Sequence, residues 1–206
     1  MNKTISYRPI KRSDYDKLED IIIETWNYDK FGNKKTAKAL ARVFLSSCLA
    51  NQNFTSVALI NNEPVGVIMG KSEKKHPILL YYHLHQFISI IKMISFQEGR
   101  KVLKMFEGFE KINKELSKQC TIKFDGEIAF FVVSKKQRGT GIGKELFRQV
   151  KEYMKSEFID CYYLYTDSSC NYGFYEHQGL IRFQEKKLQL PAFKNKEMSF
   201  FLYGVD

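Results

Sequence analysis

The sequence predicts a mixed α/β (α+β) domain, a twisted mixed sheet flanked by helices. Three observations carry that prediction. Residues 126–154 read in succession as a strand, a glycine-rich turn and an amphipathic helix. Residues 4–69 alternate strand and helix signals and end in a hairpin. Residues 159–203 add three more strands around one short helical stretch. A chain of 206 residues suits a single domain spanning 1–206. Its 44% apolar content, with 17 Phe and 12 Tyr, supplies a largely aromatic core.

The elements follow in order. Thr4 to Ile10 reads as a first strand stopped by Pro9, and Ser13-Asp14 are helix-starting residues. Tyr15 to Trp26 carries Leu18, Ile21, Ile22 and Trp26 at helical spacing. A second helix follows Gly32-Asn33, with Ala37, Leu40, Ala41, Phe44, Leu45 and Cys48 along one face. Phe54–Ile60 and Pro64–Met69 are strands joined by the turn Asn61-Asn62-Glu63. Pro77 to Phe96 is strongly apolar, and Gly99 to Lys118 is charged and amphipathic, with Val102, Leu103, Phe106, Phe109, Ile112 and Leu116 on one stripe. Both read as helices of an insertion at about 75–120.

Ile128 to Val133 is an unbroken apolar run of strand length, as in a strand covered on both faces. After the polar turn Ser134–Gln137 comes Arg138-Gly139-Thr140-Gly141-Ile142-Gly143-Lys144. A helix then presents Leu146, Phe147, Val150, Tyr153 and Met154 on one face. Glycines let the backbone turn sharply and let a ligand approach it closely. The free N–H groups and dipole of the helix start favour an anion, typically phosphate. Ile159–Thr166 is a further strand, and Ser168 or Ser169 can cap a short helix that Gly179 ends. Leu180–Leu190 and Glu197–Tyr203 form a closing hairpin across the loop 191–196.

Charge and cysteine usage narrow the partners. The formal charge is +10, yet Lys and Arg are scattered among 23 acids, whereas a nucleic-acid binder concentrates them in blocks. No nucleic-acid partner is expected, and the positive field suits an acidic cofactor. The cysteines at 48, 120, 161 and 170 show no C-x-x-C, so a reducing cytoplasm is the expected location. His83 and His85 are two apart and do not face each other on a helix, so no metal site is expected there or with His76. The 77–96 run contains His83, His85, Gln86 and Lys92, each costly in hydrocarbon, so no membrane partner is expected. No leader pattern precedes the first strand, and the sequon at Asn53 carries no meaning without secretion.

The turn 138–144 is neither a dinucleotide fingerprint, because position 144 is Lys, nor a P-loop, because Glu145 follows Gly143-Lys144. It matches R/Q-x-x-G-x-G/A through Arg138, Gly141 and Gly143. A second motif lies downstream, Asn171 followed by Phe174-Tyr175-Glu176-His177-Gln178-Gly179-Leu180. Together, and with Val65-Gly66 in the third strand, these resemble the GCN5-related N-acetyltransferase (GNAT) superfamily. Leu180 replaces the usual aromatic, and Asn171 lies closer to Tyr175 than is usual in the family.

The resemblance implies acetyl-CoA as donor, CoA as product, and direct attack by an acceptor amine. It implies cofactor contacts from Phe131, Val132 and Val133, which would pair with the pantetheine arm and offer an oxyanion N–H. It implies pyrophosphate contacts from Arg138, Gly139, Thr140, Gly141, Ile142, Gly143 and Lys144, and further contacts from Asn171 and Phe174. Tyr175 would be the general acid that protonates the leaving thiolate. Glu127 occupies the position of the base in the histone-acetylating branch; a water chain, with Glu127 as a structural carboxylate, is the other reading. Trp26, Tyr28 and Phe31 lie where this fold places acceptor contacts, with core packing as their alternative.

The expected function is acetyl transfer to a primary amine of a small molecule or peptide. The alternative is an inactive acetyl-CoA-binding regulatory module. No motif names the acceptor. The positive charge disfavours highly cationic ones unless Glu24, Asp29 or Glu127 builds a local acidic pocket. The insertion would pack on the sheet, wall the acceptor pocket, or form the contact of a homodimer.

Overall fold

In the computed structural model, which describes residues 4–75, 80–190 and 196–206, the chain opens with β1 (Ile5–Arg8). Asp14 then closes the first corner: its carboxylate accepts from the Lys11 N–H at 2.7 Å and from both Arg8 guanidinium nitrogens at 2.7 and 2.8 Å. Helix α1 (Tyr15–Trp26) follows, as its periodicity predicts, and ends at Asn27 in the left-handed region. A short 3-10 turn, Tyr28–Phe31, leads to α2 (Lys34–Ala50). The cap of α2 is Asn33, whose side chain accepts from the Thr36 N–H.

Strands β2 (Phe54–Ile60) and β3 (Glu63–Ser72) pair across Asn61 and Asn62, both at positive φ, the backbone that a tight hairpin needs. β3 runs three residues beyond the predicted Met69 because its far end pairs with β4 (Gly126–Val133). The Asn53 side chain bonds the Ser72 N–H and the Lys75 carbonyl, so the apparent sequon is used internally. Gly66 is required where β3 crosses β4, since a Cβ there would lie 2.9 Å from the Val132 carbonyl oxygen.

The insertion is helical: α3 (Leu80–Ile94) and α4 (Gln97–Gln119). Helix α3 packs on α2, and α4 packs on α2 and on the closing hairpin. Residues 76–79, where His76 and the start of the apolar run fall, lie outside the described residues. No described helix is long and apolar enough to cross a membrane.

After β4 come α5 (Ile142–Ser156), β5 (Tyr162–Asp167), α6 (Gly173–His177), β6 (Ile181–Leu190) and β7 (Lys196–Val205). The seven strands form one mixed sheet in the order β1-β2-β3-β4-β5-β7-β6. The predicted strand start at Ile159 moves to Tyr162, because Ile159 is spent terminating α5 with a bond to the Met154 carbonyl.

Apolar clusters cover the sheet. One joins α1, α2 and the insertion through Leu18, Leu40, Met93 and Phe130, and another joins α5 to the opposite face through Ile128, Leu146, Phe147 and Val150. A bulge at Ala129, skipped between the pairs Gly70–Ile128 and Met69–Phe130, resets which residues of β4 face which cluster. The strand is not covered throughout, as its sequence suggests. Alternate residues are only half-buried, because β4 borders a cleft.

Candidate active site

Strands β4 and β5 pair in parallel over two rungs only, Gly126–Tyr162 and Glu127–Tyr163, and then separate. Beyond that point the backbone edges of both strands have no ladder partner on their facing sides. A cleft of about 1140 Å3 passes through the gap and opens toward both faces of the sheet.

One end of the cleft is the turn before α5. Arg138, Gly139, Gly141, Gly143 and Lys144 all line it. Gly139 and Gly141 have φ of +77° and +87°, and a Cβ on either would meet nothing within 4 Å. The left-handed backbone therefore faces open space, not packed protein, which is a cradle with room for a bulky anion. Gly141 caps α5, and its carbonyl takes the first helical bond from Glu145, so the intervening N–H groups have no helical partner. Thr140 turns its hydroxyl inward to the Gln137 carbonyl at 2.7 Å, and Ile142 is buried in the core. Both therefore present backbone, not side chain, to an anion.

Phe131, Val132, Val133, Asn171, Phe174 and Tyr175 line the middle of the cleft. The Tyr175 ring lies among Phe131, Phe147, Phe174 and Tyr203. Burial pushes its hydroxyl pKa above the ordinary 10, and Cys170 and Asp167 add to the effect. Helix α6 is held by its own turn and by a polar clasp behind it. The Tyr203 hydroxyl donates to Glu176 at 2.6 Å, while Arg182 donates to Tyr203 at 2.8 Å and to Glu176 at 2.7 Å. Gly179, at φ +85°, ends the helix as expected. The serines do not cap it: Tyr172 is the N-cap, without a side-chain bond, Ser168 accepts from the Ser199 N–H, and Ser169 donates to Asp167.

The other end is aromatic. Trp26, Tyr28 and Phe31 from the α1–α2 connection meet Phe106 and Phe109 of α4, with Asn113 beside them and Phe200 on β7. Tyr28 packs edge-on to Phe106 at 5.7 Å, and Phe109 lies 5.6 Å from Phe200. The insertion thus packs on the sheet and walls the cleft. The α4 residues were legible only as one amphipathic stripe, indistinguishable from core. Asp167, Met198 and Phe200 carried no signal as cleft residues.

Glu127 is not brought into the cleft lining. It sits one residue beyond, at the closed end of the gap, where burial raises its pKa, with Lys71, Glu73, Tyr163 and Asn51 as its polar neighbours. Among the described residues no three His, Cys, Asp or Glu side chains gather as a metal site. Cys170 lines the cleft, but burial lifts its thiol to about 11, so it is not an activated nucleophile.

The glycine turn, the parted strands and Tyr175 line one cleft. Residues 108–180, which contain both motifs, match the model of the Acetyltransferase (GNAT) family. The fold is also that of NAA60 of Arabidopsis thaliana, solved with a bisubstrate analogue (15% identity, 98% of this chain and 99% of that one, TM-score 0.57). A GNAT-family protein of Desulfovibrio desulfuricans is similar (12% identity, 98% and 99% covered, TM-score 0.54). So is the ribosomal-protein-S18-alanine N-acetyltransferase of Escherichia coli (8% identity, 98% and 93% covered, TM-score 0.52). No curated protein matches the sequence.

Proposed function

We propose that the protein transfers the acetyl group of acetyl-CoA to a primary amine of a small molecule or peptide, in the cytoplasm. The observation that carries this reading is the cleft that runs from the glycine turn, past Tyr175, to an aromatic chamber on the opposite face. Two reactants can therefore approach one point from opposite sides of the sheet, which is the geometry direct transfer requires.

The residues fit the donor. The N–H groups of 139–144, with Arg138 and Lys144, would hold its pyrophosphate, and the free edge of β4 at Phe131–Val133 would pair with its pantetheine arm. Asn171 and Phe174 would border that arm. When bound, acetyl-CoA supplies an activated acyl thioester. Tyr175 holds its proton at neutral pH and would release it to a departing thiolate. Glu127, outside the cleft lining, is better suited to a structural carboxylate than to direct contact with an amine.

A homodimer would use the outer face of α3. Leu80, Tyr81, Leu84, Phe87, Ile88, Ile91 and Ile94 are 43–76% exposed there. At roughly 150–250 Å2 for a large apolar side chain, they offer on the order of 700 Å2, near the ~800 Å2 per partner of a stable interface.

Calorimetry with acetyl-CoA, followed by a thiol-release screen of amines, tests the transfer reading. Micromolar binding and amine-dependent thiol release are expected. A wild-type protein that binds no acetyl-CoA would refute it.

A further inference from the structure

We propose that the acceptor is a monoamine on an apolar, ring-sized body, and that Asp167 receives its amino group; this rests on the acetyl-transfer reading above. The chamber opposite the glycine turn is walled by Trp26, Tyr28, Phe31, Phe106, Phe109 and Phe200. Such a wall favours apolar surface, and its ring faces give a buried cation far less than water or a carboxylate does. Besides the Tyr28 hydroxyl, Thr25 Oγ1 is buried at the cleft, without a hydrogen-bond partner among the described residues.

Among the described lining residues, Asp167 is the sole carboxylate. It ends β5 at the open side of the strand separation, and strand alternation puts its side chain on the face of Tyr163 and Tyr165. That face carries Phe109 and Phe200. Its Oδ1 is held by the Ser169 N–H at 2.7 Å and by the Ser169 hydroxyl, which fixes the carboxylate before any ligand arrives. Among the described residues its Oδ2 has the Cys170 thiol, at 4.0 Å, as its hydrogen-bond neighbour, so lone pairs remain for an ammonium. The carboxylate acts electrostatically on Tyr28 from the chamber and on Tyr175 from the donor side, which puts it where the two halves of the cleft meet.

A second positive charge has no partner in the chamber. Lys30 and Lys135 line the cleft. Glu24 and Asp29 lie in an adjoining groove that shares Asn27 and Lys135 with the cleft and also holds Lys34, Lys35 and Lys92. That groove offers no net negative field to a polyamine. Glu127 is outside the lining as well.

The proton inventory closes. The acceptor docks as an ammonium against Asp167 and loses one proton to solvent before attack. As the C–N bond forms and the C–S bond breaks, the nitrogen loses a second proton, replacing the one Tyr175 delivers to sulfur. The products are an amide, a thiol and one free proton.

The test uses the full chain with acetyl-CoA and reads thiol release across 2-phenylethylamine, 3-methylbutylamine, spermidine and a lysine-rich peptide. The apolar monoamines should exceed spermidine in kcat/KM by about 100-fold or more. Asp167→Asn should lower kcat/KM by about 100-fold, chiefly by raising KM for the monoamine, with acetyl-CoA affinity unchanged. Phe106→Glu, a carboxylate placed in the wall, should narrow the monoamine-to-spermidine ratio by about 10-fold. If acetyl-CoA binds but spermidine is the better acceptor, or no apolar monoamine releases thiol, this inference is overturned while acetyl transfer stands. Full activity with an unchanged KM for the monoamine in Asp167→Asn overturns it too. Failure of the wild type to bind acetyl-CoA removes the transfer reading itself.

Discussion

Glu127 of β4 stands opposite Tyr163 of β5 on the last rung those strands share. Below it the sheet is continuous; above it the two backbones part and the cleft begins. Burial raises the Glu127 pKa above 4.5, partly offset by Lys71 and by hydrogen bonds from Tyr163 and Asn51. A carboxyl raised on folding binds its proton more tightly in the native state. Its penalty is therefore absent below pH 4.5, and stability falls as pH rises from there through the folded pKa. Glu127→Gln should match the wild type in thermal midpoint near pH 4 and equal or exceed it at pH 7. Thiol release should persist in the variant, and its loss with intact acetyl-CoA binding would return Glu127 to the role of base.

Gly141→Glu places bulk and negative charge in the anion cradle. Because a Cβ there meets nothing within 4 Å, the fold should survive, at a cost of about 1–2 kcal/mol for a side chain at φ +87°. Acetyl-CoA binding should be lost. Gly141→Ala separates strain from charge: it should show the same loss of stability and keep measurable affinity.

Tyr175→Phe should leave acetyl-CoA affinity unchanged and lower kcat by roughly 10- to 100-fold, the low end for a general acid, because a thiolate near pKa ~8.5 leaves without much assistance. Since burial raises the Tyr175 pKa, the hydroxyl stays protonated through pH 10, and wild-type kcat should show no alkaline fall from it below that value. Stopped-time assays from pH 6 to 10 would reveal such a fall.

Asp14 is buried and takes three hydrogen bonds, two from Arg8 and one from the Lys11 backbone. Although desolvation opposes it, these bonds hold its pKa below 3.8. Its contribution is present above pH 3.8 and is lost as pH falls through the lower folded value. Asp14→Ala should cost on the order of 3 kcal/mol by urea titration at pH 7, because Arg8 is left without its partner. The difference from wild type should shrink in acid.

If α3 is the dimer contact, Phe87→Glu should yield monomers by sedimentation equilibrium while acetyl-CoA binding persists. A wild-type monomer at tens of micromolar would remove that assignment.

Much of this molecule follows from local sequence. The stripe Leu18, Ile21, Ile22 set α1, and the span Tyr15–Trp26 was readable to the residue. The two asparagines at 61 and 62 specified their hairpin because few other residues adopt left-handed backbone cheaply. The strand–glycine–helix unit and the FYEHQGL segment mark the end of the cleft we propose for the donor, because a phosphate cradle is built from consecutive backbone N–H groups. The acceptor end was not readable. Its wall is assembled from α4, β7 and the α1–α2 connection, far apart in the chain, and each contributes aromatics that look like ordinary core. Asp167 carried no local signal, and Glu127 read equally as a base or as a structural carboxylate. Only the parting of β4 from β5 decided which carboxylate meets the cleft, and that parting is a property of strand pairing across the whole sheet, not of any local run of residues.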